Sequence, residues 1–153
     1  MAGPVGGSLR DRALRLLARR EHSRAELRSK LSAGADPDDD VDALLDEFER
    51  RGWLSDARYA EQRVTVRSAR YGPARIAQEL KSRGVSADVA EAALAQARAA
   101  ETRACREVWR RRYGQLPGSR DERAKQMRFL QSRGFGTEAI RAVLKGVEDD
   151  PTE

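Results

Sequence analysis

The sequence predicts an all-α protein: three tandem three-helix, helix-turn-helix-like repeats stacked into an elongated, curved body. Three observations lead there. Apolar residues recur at three- and four-residue intervals, and nowhere alternate with period two over a useful length. Helix-start and helix-stop residues punctuate the chain at short, regular distances. One stretch also repeats: ELKSRGVSADVAEAAL (Glu79 to Leu94) aligns without gaps on FLQSRGFGTEAIRAVL (Phe129 to Leu144), 50 residues on, with 6 of 16 positions identical. A period of that size marks helical units that stack on their neighbours.

The first repeat is more divergent. Its core phase, Leu27, Leu31 and Leu45, matches Ile76, Leu80 and Leu94 at a period of 49, while Gly34 falls one residue early. The expected layout is a flexible start at 1–8, repeats at 9–54, 55–100 and 101–147, and a frayed tail at 148–153.

Ser8 is placed to cap a first helix, about 9–20. Ser23 with Glu26 forms the capping-box pattern for a short second helix, 24–32, in which each side chain satisfies an amide of the other residue. Asp36-Pro37 reads as the start of the third, with Pro at the first helical position, and Val41, Leu44, Leu45 and Phe48 form its buried stripe.

Gly52 stops that helix, because glycine adopts the left-handed conformation without a Cβ penalty. Trp53 and Leu54 follow as an apolar anchor, then Ser55 or Asp56 as cap, and Tyr59 opens the buried face of a fourth helix, 56–70. Gly52, Trp53, Leu54, Asp56 and Tyr59 are read as the structural joint between the first two repeats, with Trp53 and Tyr59 as its hydrophobic pin.

Gly72-Pro73 restarts the chain into a fifth helix, 73–83. Ser86 caps a sixth. The stretch from Ala97 to Cys105 holds no Gly or Pro, so helices six and seven are either continuous or broken at an unmarked place. Ser119 with Glu122 repeats the capping-box pattern for an eighth helix, 120–133, with Ala124, Met127, Phe129 and Leu130 facing in. Thr137 caps the last, which runs to Gly146. Trp53 and Trp109 are both expected in apolar cores.

Composition narrows the function. Charged residues make up 36% of the chain, yet the formal net charge is only +5, because acids and bases are interspersed. That favours an ordered, thin-cored helical protein over a disordered one. Residues 1–56 carry net −2, residues 57–104 net +4 and residues 105–153 net +3, so the basic surface belongs to the last two repeats. A pI near 9.9 suits a polyanionic partner.

Cys105 and His22, each alone of its kind and far apart, make neither a disulfide nor a zinc site. His22 reads as a partly buried hydrogen-bonder. Asp38, Asp39, Asp40 and Asp42 lack the spacing of a calcium loop and suit a helix N-terminus. There is no nucleophile motif or phosphate loop. The expectation is a non-enzymatic protein without catalytic residues, cofactor or metal, not membrane-bound, soluble and cytoplasmic. Candidate binding residues are Arg75, Lys81 and Arg83 around the fifth helix, Arg110, Arg111 and Arg112 after Trp109, and Arg123, Lys125, Arg128 and Arg133 on the eighth. Equivalent helices of stacked repeats are expected to align these charges along one ridge or groove.

Four runs resemble a known family: RREHSRAELRSKL (Arg19 to Leu31), GWLSDARYAE (Gly52 to Glu61), YGPARIAQELKSRGV (Tyr71 to Val85) and RFLQSRGF (Arg128 to Phe135). In this order and spacing they are similar to the bacterial regulatory protein RecX family. The resemblance implies an all-helical, cytoplasmic modulator that binds the recombinase RecA in its filament on single-stranded DNA; a monomer is expected. It also implies damping of recombinase, ATPase and co-protease activity, and sequence-independent binding of single- and double-stranded DNA. The competing reading is a DNA-binding protein that acts without RecA. The third helices, Val41 to Glu49 and Val89 to Ala97, offer few Arg, Asn or Gln side chains to read base edges.

Overall fold

The local signals fix nine helices and no strand among the described residues, 7–145 of the computed structural model. They are α1 (Leu9–Arg19), α2 (Arg24–Ser32), α3 (Val41–Arg50), α4 (Asp56–Arg67), α5 (Pro73–Ser82), α6 (Ala87–Ala99), α7 (Glu101–Arg112), α8 (Arg120–Ser132) and α9 (Thr137–Leu144). Residues 1–6 of the start expected to be flexible, the expected end of the last helix at Gly146 and the tail expected to fray lie outside the described residues.

Most caps follow from the sequence. Ser8 with Asp11, and Ser23 with Glu26, close complete capping boxes. Three expectations need correction. Asp36-Pro37 does not open α3: residues 36–39 make a turn in which the Asp39 carboxylate accepts from the Asp36 amide, and Asp40 caps by accepting from Ala43 N–H. Asp40 wins because it adjoins the apolar stripe that begins at Val41.

At α8 the box is half made. Ser119 accepts from Glu122 N–H, but the Glu122 carboxylate accepts from Gly118 N–H at 2.6 Å instead of reaching back to Ser119. Thr137 is the first residue of α9 and not its cap. The cap position is Gly136, which has no side chain, and its amide donates to Glu101 at 2.8 Å. Helices six and seven are separate. Ala100 (φ −100°, ψ 11°) interrupts them without a glycine or a side-chain cap, which is why no signal marks the place.

The chain divides by packing into two compact units, one of Met1–Gln62 with Leu80–Ala90, the other of Arg63–Glu79 with Glu91–Glu153. In the first, Ala13, Leu27, Leu31, Leu45, Phe48 and Leu54 are buried together, with Leu9, Leu16, Leu17, Val41 and Leu44 packed around them. In the second, Cys105, Val108, Trp109, Leu130, Phe135, Ile140, Val143 and Leu144 form the core.

The repeat shows in burial as well as in letters. Leu80 and Leu130 are both fully buried, Val85 and Phe135 nearly so. Gly84 and Gly134 are both left-handed at φ +80° and +93°, whereas Gly34 is not. The one-residue offset of Gly34 therefore gives the first repeat a different turn.

Two aromatic expectations part company. Trp109 is buried, its indole N–H donating to the Gln126 side chain at 2.8 Å, and Gln126 in turn donates to the Gln115 carbonyl. Trp53 is 40% exposed. Its ring meets Phe48 edge-on at 5.3 Å between centroids, and Arg10 and Arg51 lie over it at 5.9 and 5.0 Å. Gly52 turns the chain outward before Trp53, so its ring seals the rim of the first core and leaves a face in water. Two turn residues stay in: Leu54 and Tyr59 are buried.

A candidate polyanion site at the start of the fifth helix

The same device recurs in both units: a helix start seated on a Ser-Arg-Gly turn. In the first unit α2 sits on the turn at Ser82 to Gly84. Ser23 Oγ donates to the Arg83 carbonyl at 2.7 Å, and a Cβ on Gly84 would lie 2.4 Å from that of Ala25. In the second unit α5 sits on the turn at Ser132 to Gly134. Gly72 N–H donates to the Arg133 carbonyl at 2.7 Å, and a Cβ on Gly72 would lie 2.4 Å from the Gly134 carbonyl oxygen. Both contacts are too close for any larger residue.

The chemistry around the two seats is opposite. In the first, Glu26 bonds Arg20 at 2.9 Å and Arg83 at 3.2 Å. Burial pushes the Glu26 carboxyl upward, but the Arg20 guanidinium and its charge outweigh that and hold it below the usual range. Glu21 pairs with Arg58, and Asp56 accepts from Arg24 N–H at 2.7 Å, so the Asp56 of the interhelical turn serves α2, not its own helix. Ser55 caps α4 by accepting from Arg58 N–H.

His22 is buried. Nδ1 contacts the Arg20 carbonyl and Nε2 lies 3.1 Å from Lys30 Nζ. Desolvation and the charges of Arg20 and Lys30 lower its pKa. Lys81 and Arg83 border a cleft of about 430 Å³ shared with Glu26 and Lys30.

Forty-nine residues on, both of these glutamates are replaced by arginines. Glu21, His22 and Glu26 become Arg70, Tyr71 and Arg75. Tyr71 is ringed by Arg67, Arg75 and Arg133, at 4.1, 4.3 and 5.2 Å from its centroid. Such contacts are attractive when the guanidinium faces the ring. Glu79 is bonded by both Arg63 and Arg67 and lies 3.8 Å from Arg75. Arg75 also donates to the Ser132 carbonyl at 3.0 Å.

Beside this cluster opens a cleft of about 540 Å³ lined by Ala69, Arg70, Val108, Arg111, Arg112, Phe129 and Arg133. No carboxylate lines it, and among the described residues none of its four arginines forms a salt bridge. Arg111 is held by the Ala69 carbonyl, while Arg112 and Arg133 stand over Phe129 at 5.6 and 5.1 Å.

The candidate residues are divided between the two units. Arg111, Arg112 and Arg133 meet in the cleft and Arg75 stands at Tyr71 beside it. Lys81 and Arg83 belong to the first seat. Arg110 pairs with Glu107, and Arg123, Lys125 and Arg128 are exposed along α8, with Lys125 at a smaller cleft beside Tyr113 and Gln126. Arg70 and Tyr71 were missed. Aligning the two helix starts at the 49-residue offset shows the Glu-to-Arg exchanges that mark them. Cys105 is buried in the second core, and burial and the nearby Glu101 push its thiol up to about 12.

Fold and site together define a class: tandem three-helix scaffolds, here with one basic cleft beside the seat of a second helix. Residues 10–48, 55–94 and 100–144 match the first, second and third three-helix domains of RecX. The chain therefore belongs to the RecX family. It is 49% identical over 138 residues to the regulatory protein RecX of Leptothrix cholodnii, covering 90% of this chain and 88% of the relative. It is 46% identical over 141 residues to that of Ralstonia nicotianae, covering 92% and 89%. The crystal structure of RecX from Lactobacillus salivarius shares the fold, with a TM-score of 0.77 at 22% identity over 90% of this chain and 92% of that one.

Proposed function

We propose that this chain is a non-enzymatic regulator that binds RecA and its nucleoprotein filament on single-stranded DNA, and inhibits recombinase, ATPase and co-protease activity in DNA repair and the SOS response. The observation that carries it is the ordered match of all three RecX domains across residues 10–144, with relatives named regulatory proteins covered over most of their length. The repeats at 9–54, 55–100 and 101–147 are its units. It acts as a monomer in the cytoplasm, and no helix among the described residues is long and apolar enough to cross a membrane.

The basic side chains from Arg75 to Arg133 named above are its contact surface for the filament, and it binds single- and double-stranded DNA without sequence preference. The measurement is RecA ATP hydrolysis and strand exchange on single-stranded DNA with the protein added at stoichiometric ratio. Inhibition of both is expected; unchanged rates refute the reading. The unpaired arginines of the second unit favour one alternative, a DNA-binding protein that acts without RecA. Tight DNA binding with no effect on RecA would establish it.

A further inference from the structure

We infer that the cleft of Arg70, Arg111, Arg112 and Arg133 over Phe129 is a single-strand nucleic-acid site, holding phosphates on its guanidiniums and a base against the Phe129 ring. This deepens the function proposed above by naming which partner this cleft meets, and of that reading it rests only on the nucleic-acid part.

The comparison of the two seats supplies the reason. Both use a helix start on a Ser-Arg-Gly turn, so the architecture needs no particular charge. At the first, Glu26 neutralises Arg83. At the second, the residue equivalent to Glu26 is Arg75, and Arg133 has rings for neighbours in place of a carboxylate. Four guanidiniums left without anionic partners repel one another unless an anion enters. The planar fork of arginine matches phosphate oxygens.

The floor decides between forms of the ligand. Phe129 and Val108 line the cleft between arginines. Aromatic faces and guanidinium planes stack unpaired bases, which a duplex keeps inside its own stack. An acidic peptide would pair with the arginines but leave the ring without a matching partner.

The test uses the full chain and a fluorescent oligothymidylate of about 20 nucleotides, enough to exceed one site of the usual size. Binding is followed by anisotropy across a salt series. Arg70→Gln with Arg112→Gln removes two charges that make no salt bridge or backbone contact among the described residues. It is expected to weaken binding about tenfold and to lower the salt slope by about 1.4, at about 0.7 per phosphate contact on a single strand. Arg15→Gln with Arg50→Gln removes the same charge from exposed positions of α1 and α3 and is expected to bind like the parent. Arg112→Lys, which keeps the charge and loses the planar face, should fall between the two, with helical circular dichroism unchanged.

Parent-like affinity and slope in the double variant overturn the proposal. So does equal affinity for a duplex of the same length, or displacement of the oligonucleotide by polyglutamate as effectively as by unlabelled oligothymidylate. A double variant that loses RecA inhibition but keeps the oligonucleotide assigns the cleft to RecA, sinking this inference alone. A parent chain that binds oligonucleotide through the cleft without inhibiting RecA does the reverse.

Discussion

Replacing Gly134 by alanine tests the helix seat directly, because Gly52 supplies the matched control. Both glycines are left-handed, at φ +93° and +75°. An alanine there pays a backbone cost of about 1–2 kcal/mol at either site. Their surroundings differ. A Cβ on Gly52 meets nothing within 4 Å, whereas on Gly134 it would lie 2.4 Å from Arg75 Cβ and 2.7 Å from Arg75 N.

Those neighbours are the backbone and stem of α5, so the helix start must withdraw. Withdrawal breaks the Gly72 to Arg133 hydrogen bond and loosens the Arg75 to Ser132 contact, each worth about 0.5–1.5 kcal/mol. Gly134→Ala is therefore expected to destabilise by about 2–5 kcal/mol, and Gly52→Ala by about 1–2. Urea unfolding followed by circular dichroism measures both. Equal losses at the two sites would mean that the close approach of α5 to the turn contributes nothing.

Leu80, fully buried, should cost about 2–5 kcal/mol as Leu80→Ala in the same assay; a loss below about 1 would remove it from the core. Arg123→Ala with Arg128→Ala should weaken DNA or filament binding while leaving the helical signal intact, and loss of that signal would make the two arginines structural.

Stability should fall on acidification in two stages. Burial lowers the pKa of His22, so below its ordinary 6.5 the unfolded chain gains the proton first and stability falls. Glu26, held below 4.5, contributes stability that is lost as the pH falls through its depressed value. His22→Gln should flatten the upper stage and Glu26→Gln the lower, and an unchanged profile in both would refute the assignment. Trp53→Ala should lower stability, since the ring covers Phe48; RecA inhibition retained by that folded variant would argue against a joint at Trp53.

Periodicity, capping residues and the repeat determined the helical class, seven of the nine helix starts to within one residue, and the burial of Leu27, Leu45, Leu80, Leu94, Leu130 and Leu144. These are legible because a helix is closed by its own neighbours: a cap bonds an amide three residues away, and a stripe follows from 3.6 residues per turn. Family membership was legible for the same reason, being carried by short contiguous runs.

Tertiary structure decided what depends on distant partners. Asp56 accepts from the first amide of α2 across 32 residues, Glu101 meets the Gly136 amide across 35, and Gln126 is buried where it accepts from the Trp109 indole. Trp53 stays partly in water because the left-handed turn at Gly52 sets it at the rim, where it meets Phe48 in a T-shaped contact. The arginine cleft belongs to this class as well. Its members come from α7, α8 and the turn after α4, and each looks like an ordinary solvated arginine until the fold removes the carboxylates from its reach. Charge in a sequence is a sum, whereas a binding site depends on which charges lie within a few ångströms of one another.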